Sequence, residues 1–100
     1  MNVIARATLA AYAAQHAETA QPLSDWYRTA RHSNWRSMLD VIATFPRAKV
    51  LNGERVRFEI CGGNYRLVVA FKFTANIAWV KFIGTHAEYD RIDALTIEQF

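Results

Sequence analysis

Arg55 and Arg57 stand on the polar phase of an alternating run, Arg66 and Lys72 share one parity of the apolar run that follows, and Thr85-His86-Ala87-Glu88-Tyr89-Asp90 gathers an imidazole, a phenol and carboxylates in one short segment. Guanidinium groups grip phosphate oxygens bidentately, a geometry an ammonium lacks. Histidine titrates near neutral pH, and a tyrosine beside arginines can share in proton transfer or stack on a base. Each residue also has a plainer use. Arg66 can pair with a cross-strand Glu59, His86 can cap a turn, Tyr89 can pack as an aromatic, and Lys72 can be solvated. Asp90 can orient His86 or serve as the acid of a helix over 92–100. The lone Cys61 forms no intrachain disulfide, and the scattered His16, His32 and His86 give neither CxxC nor HxxxH spacing. No metal and no cofactor is therefore expected, and the redox setting reads as intracellular.

The elements that must position these groups change period halfway along the chain. Arg55-Val56-Arg57-Phe58-Glu59-Ile60 alternates, Gly62-Gly63 supplies a turn, and further strand runs follow at 65–73 and 77–84. Closing the first turn on Gly62-Gly63 sets Phe58 opposite Leu67 and Glu59 opposite Arg66. A three-residue loop after Phe73 sets Phe71 opposite Trp79 and Arg66 opposite Gly84. One face then carries Val56, Phe58, Leu67, Val69, Phe71, Trp79 and Ile83 as a core. The other carries Arg55, Arg57, Glu59, Arg66 and Lys72, with Val68, Ala70, Val80 and Phe82 between them and open space at Gly84. One helical turn over 86–90 brings His86, Tyr89 and Asp90 to the edge of that basic face.

The first half is mostly helical. After a short strand at 1–4, an Ala-rich stretch at 8–17 and a second helix opening at Pro22 form a hairpin that ends by His32. Ser37-x-x-Asp40 then caps a short helix that stops before Phe45-Pro46. Helices followed by strands predict an α+β domain, with an N-terminal strand and the hairpin on one face of an antiparallel sheet. One hundred residues, 52% hydrophobic and 13% aromatic with four Gly and two Pro, make one folded domain over 1–100 rather than a disordered tail or linker. No run approaches the roughly 20 apolar residues of a membrane span, so a soluble cytoplasmic protein without a membrane partner is expected. The net charge is +3, but residues 28–81 hold ten basic and three acidic residues, a local +7, and 86–100 hold one and four, a local −3. A basic body with an acidic end points to a polyanionic ligand.

Leu23-x-x-Trp26-Tyr27, Trp35 with Ser37, Phe45-Pro46, Arg55-Val56-x-Phe58, Asn64-Tyr65-Arg66-Leu67-Val68-Val69 and Phe82-Ile83-Gly84-Thr85-His86-Ala87-Glu88-Tyr89-Asp90 together resemble the HigB-type toxins of the RelE-like superfamily. The last two blocks are the specific ones. The resemblance implies a RelE-like fold and a ribosome-dependent, metal-free endoribonuclease that cleaves mRNA in the A site. It also implies a helix-turn-helix antitoxin of the HigA type as partner, with DNA met only through that antitoxin. It marks Arg66, His86 and Tyr89 as active-site candidates with Asp90 adjacent. Three positions depart from the family pattern: Ala70 stands where a Lys is usual, Cys61 replaces another Lys, and Glu59 takes an Asn position.

Two readings follow, of different classes. In one, Arg66 holds the scissile phosphate, Arg55, Arg57 and Lys72 guide the RNA backbone, and His86 with Tyr89 moves the protons, with either as base. In the other, the charge lost at positions 70, 61 and 59 leaves a catalytically weak or inactive module of the same fold that binds RNA or antitoxin. A DNA-binding regulator fits worse, since the helical half has no helix-turn-helix signature.

Overall fold

The computed structural model describes residues 1–100. A strand β1 (Asn2–Ile4) leads into three helices: α1 (Arg6–Gln15), α2 (Ala20–Arg31) and α3 (Met38–Thr44). Helix α1 forms on alanine propensity and buries only Leu9. Helix α2 is amphipathic: Leu23, Trp26 and Ala30 recur at helical spacing and are buried, while Arg28 and Arg31 sit in the last turn at the negative end of the helix dipole. Pro22 falls in the first turn, where its missing N–H interrupts no helical bond. As the spacing predicts, Ser37 caps α3, its hydroxyl accepting from the Asp40 N–H at 3.4 Å.

Four strands and a helical turn complete the chain: β2 (Lys49–Val50), β3 (Arg55–Ile60), β4 (Tyr65–Lys72), β5 (Ile77–Thr85) and α4 (His86–Tyr89). They and β1 make one five-stranded sheet in the order β1-β5-β4-β3-β2, antiparallel except for the β1–β5 pair. The fold is α+β, consistent with a RelE-like arrangement. Strand β2, two residues long, is too short to show a period and was not expected.

The β3–β4 register is the one expected, with Phe58 opposite Leu67 and Glu59 opposite Arg66. Arg66 also faces Gly84 as expected, but the rest of β5 does not follow. The turn after β4 holds four residues, so Lys72 pairs with Ile77 and Phe71 with Ala78, not Trp79. A bulge between Val68/Val69 then leaves Lys81 unpaired and restores the expected pairing from Phe82 onward. Between turn and bulge the side chains are inverted. Ala78 and Val80 enter the core, while Trp79, expected there, is half-buried outside it.

The core lies between the helices and one sheet face and is built largely of aromatic edges. Trp26 and Phe45 meet Phe58 at 5.3 and 5.2 Å between ring centroids, and Trp35 meets Phe71 at 5.9 Å, all tilted toward a T shape. The Trp35 indole donates to Thr44 Oγ1 at 3.0 Å, tying α3 to this cluster. On the other face Val68, Ala70 and Phe82 are buried too. Residues 92–100 form no helix, contrary to expectation, and cross this face as an irregular strap. Arg55 clasps it, Nη1 donating to the carbonyls of Ala94 at 3.2 Å and Ile97 at 2.7 Å, and Nη2 to Glu98 at 2.9 Å. Glu98 also takes Lys81 at 2.8 Å, and Gln99 bonds the backbone of Lys81 and Ile83.

Candidate active site

The strap divides the basic face. At the Arg55–Ala70–Trp79 end the sheet is closed, so Arg55, expected along an RNA path, is instead buried as the clasp of the chain's own tail. Lys72 is exposed at the far end of β4, six residues and about 20 Å from Arg66 along the strand. It does not join Arg66. At the opposite end a single row crosses three strands, with Gly84 on β5, Arg66 on β4 and Glu59 on β3, and by extension of the Lys49–Arg57 pairing two residues it reaches Arg47 just before β2.

Glu59 is the centre of that row. Its Oε1 lies 3.1 Å from Arg66 Nη1 and 3.9 Å from Arg57 Nη2, and its Oε2 lies 3.0 Å from Arg47 Nε. Arg66 retains only 9% of its exposure, and its Nε, like that of Arg57, has no hydrogen-bond partner. The β3–β4 turn makes room for the guanidinium. Gly63 has φ +100°, and a Cβ there would stand 3.2 Å from Arg66 Nη1, so both the backbone angle and the close approach require glycine. The space expected at Gly84 is absent: a Cβ there would meet the Phe82 ring at 2.6 Å and Glu88 Oε1 at 3.2 Å.

Helix α4 closes this end of the sheet. Thr85 and Glu88 form a capping box, the Glu88 carboxylate accepting from the Thr85 N–H at 2.8 Å and the Thr85 hydroxyl from the Glu88 N–H at 3.1 Å. Those bonds hold the Glu88 carboxyl below its usual range. The His86 N–H donates to the Asn64 carbonyl at 2.9 Å, which fastens α4 to the β3–β4 turn beside Arg66. His86 Nδ1 lies 3.1 Å from Asp90 Oδ2, and its ring is 53% exposed. Tyr89 packs a half-buried ring on Phe82, with centroids 6.2 Å apart. His86 and Asp90 therefore meet as the one-turn spacing predicts, and Tyr89 lies against the same sheet face as Arg66. No group of three or more His, Cys, Asp or Glu side chains is placed to hold a metal ion.

Sequence reasoning missed two features of this end. Arg47 could have been found only by pairing β2, whose two residues carry no signal. The second is an aromatic cluster between the end of α1 and β4. His16 stacks on Tyr12 at 4.2 Å, Tyr65 stands edge-on to both, and the Tyr65 hydroxyl donates to the Glu18 carboxylate. That bond pushes the Tyr65 phenol up to about 12, and burial, with Glu88 and Glu18 nearby, pushes Tyr12 up to about 12. It also holds Glu18 below the usual carboxylate range.

A helical hairpin on one face of a five-stranded sheet, with arginines and a His–Asp pair at one end of the other face, defines a small α+β domain of RelE-like build. Residues 19–92, from the start of α2 to just past α4, match the HigB toxin family, the RelE-like toxic component of a toxin-antitoxin system, and the chain belongs to this family. No curated protein matches it. Membership makes the protein the toxin of such a system, which implies an antitoxin partner. No helix is long and apolar enough to cross a membrane.

Proposed function

We propose that this toxin is a ribosome-dependent endoribonuclease that cuts mRNA in the A site and thereby stops translation in the cytoplasm. The observation that carries the reading is the junction of β4 and α4: a buried arginine on the central strand, and a histidine oriented by a carboxylate on the helical turn fastened to the adjoining loop. The attacking group is the substrate's own 2′-hydroxyl, and the reading uses neither metal nor cofactor. As the 2′-oxygen bonds to phosphorus and the bond from phosphorus to the 5′-oxygen breaks, one proton leaves the 2′-hydroxyl and one reaches the departing oxygen. The products are a 2′,3′-cyclic phosphate and a 5′-hydroxyl.

Arg66 is assigned to the scissile phosphate, where a guanidinium stabilises the added charge of the phosphorane. Asp90 against Nδ1 favours the tautomer that leaves Nε2 of His86 facing outward, and His86 and Tyr89 are the two groups for proton transfer. Arg57 borders the row and extends the contact to the RNA backbone, while Lys72 lies apart from the reacting groups. The protein partner is assigned as a helix-turn-helix antitoxin of the HigA type, through which alone DNA would be met.

Glu59 favours a second reading. A carboxylate on Arg66 lowers its pull on phosphate, as in a module that binds RNA or antitoxin but cuts little. Primer extension on a defined mRNA with stalled ribosomes, using the protein, its Arg66→Ala variant and a control without ribosomes, separates the two. Cuts within the A-site codon that need ribosomes and vanish in the variant, with cyclic phosphate ends, are the expected result. Soluble, folded protein that makes no cuts would overturn the endoribonuclease and leave the binding module as the reading.

A further inference from the structure

We infer that Arg47, Arg57 and Arg66 form one seat for an RNA phosphate, in which the Glu59 carboxylate is an internal occupant that the phosphate displaces. The identity of the ligand rests on the ribonuclease reading; the seat itself rests on geometry.

Three guanidiniums converge on a single carboxylate from three strands' worth of sequence, at 3.0, 3.1 and 3.9 Å. One carboxylate does not satisfy them. Arg57 Nε and Arg66 Nε are buried without a hydrogen-bond partner, and Glu59 Oε2 has none although Arg47 Nε is close. With three positive groups against one negative, the cluster keeps an excess of two positive charges around an anion that carries only one. A phosphodiester carries the same single charge as Glu59, but its phosphorane carries two. The seat therefore suits the transition state better than it suits its resident carboxylate.

Glu59 is also placed to leave. A cleft of about 270 Å³, walled by Phe45, Pro46, Ala48 and Gly62, opens beside Glu59 and Arg47. Arg47 is 77% exposed, so its bond to Glu59 is screened by water and adds little to hold it. An RNA backbone arriving from solvent meets Arg47 first. It can draw that side chain off Glu59 before reaching the buried Arg66, which makes Arg47 a binding residue outside the set that the sequence marks.

The test is binding of a short fluorescent single-stranded RNA, 2′-O-methylated throughout so that it cannot be cut, without ribosomes and over a series of salt concentrations. Glu59→Gln keeps the acceptor oxygen and removes the charge. It is expected to tighten binding about tenfold, as for one charge at short range in a partly buried site, and to steepen the slope of log K against log salt by about 0.7. Arg47→Met, at an exposed position that does not threaten folding, is expected to flatten that slope by about the same amount. Unchanged affinity and slope in folded Glu59→Gln would make Glu59 a structural ion pair and overturn the inference. An unchanged slope in Arg47→Met would do the same if Glu59→Gln fails to fold. The outcomes separate from the ribonuclease reading: wild-type protein that cuts on ribosomes beside a neutral Glu59→Gln sinks the seat alone. Tighter binding by Glu59→Gln beside a wild type that never cuts sinks the ribonuclease and leaves the seat.

Discussion

His86 is the residue whose removal isolates the chemistry, because its half-exposed ring meets an exposed carboxylate while its bonds to Asn64 and Asp90 are made by the backbone, which alanine keeps. His86→Ala should melt like the wild type yet lose about 100-fold or more in cleavage and relieve growth arrest on induction. Wild-type toxicity in folded His86→Ala would remove it from the reaction. Arg66→Ala strips a partner from half-buried Glu59 and should also lose about 1–3 kcal/mol of stability, so Arg66→Lys is the companion that keeps the charge and gives up the bidentate geometry. Titration gives a second residue-scale expectation. Glu18, Glu88 and Glu98 are held below their ordinary 4.5 by hydrogen bonds, respectively from Tyr65, Thr85 and Lys81 first of all. Each therefore contributes stability that is present above that value and lost as pH falls through the lowered folded one. Tyr12 and Tyr65, raised from 10.0 to about 12, contribute stability present below pH 10 and lost as pH climbs toward 12. The melting temperature against pH should fall at both ends, and Glu18→Gln should make both limbs shallower; unchanged limbs would mean that the Tyr65–Glu18 bond does not persist in solution.

The strap over 92–100 is held by Arg55 at its middle and by Lys81 and the Gln99 bonds at its end. Arg55→Ala removes three bonds to it, two of them to backbone carbonyls, and should cost about 1–3 kcal/mol while raising hydrogen exchange along the strap, with Gln99 the clearest reporter. A strap that stays protected without Arg55 would show that the Lys81 and Gln99 bonds and the apolar face beneath suffice to hold it. The same segment marks where the sequence stops being readable. Hydrophobic alternation is strong in β3, and the Gly62-Gly63 turn sets the apolar run of β4 against it, so their register and the Glu59–Arg66–Gly84 row were legible from period and turn position. Strand β5 was not, because a turn one residue longer and an unpaired Lys81 offset each other: the count comes out right at Gly84 and wrong at Trp79. Both Trp79 and Val80 are apolar, so no local signal tells which one faces inward. The strap was unreadable for a related reason. Its order comes from partners far off in the chain, Arg55 some 40 residues earlier and the β5 backbone, and its own sequence shows neither period. Within the site, Arg66, His86 and Asp90 were legible because strand phase and one helical turn place them, whereas Arg47 depends on a strand too short to carry a pattern.

At the scale of the whole chain, charge is sorted by the fold more sharply than by the sequence. The strap brings Glu98 onto Arg55 and Lys81, so two of the ten cations in 28–81 are spent within the molecule, and Arg47, Arg57 and Arg66 remain together at the α4 end. Polyanion binding should accordingly be directional, with Arg57→Ala weakening RNA binding and Lys72→Ala leaving it within about twofold in the same salt series. Equal losses from both would spread the footprint over the whole face. The Gln99 bonds have a consequence for how the molecule behaves in company. Strand β1 covers β5 only from Ile77 to Trp79, and beyond that point the carbonyl of Lys81 and the amide of Ile83 are occupied by Gln99, at 3.0 and 2.8 Å, as a neighbouring strand would occupy them. A chain cut back to Glu98 would present them, beside apolar Phe82 and Ile83, to any other extended segment. Such a chain should self-associate as its concentration rises, seen as growing light scattering from a protein that still melts cooperatively. In that sense Gln99 serves as a plug against edge-to-edge aggregation.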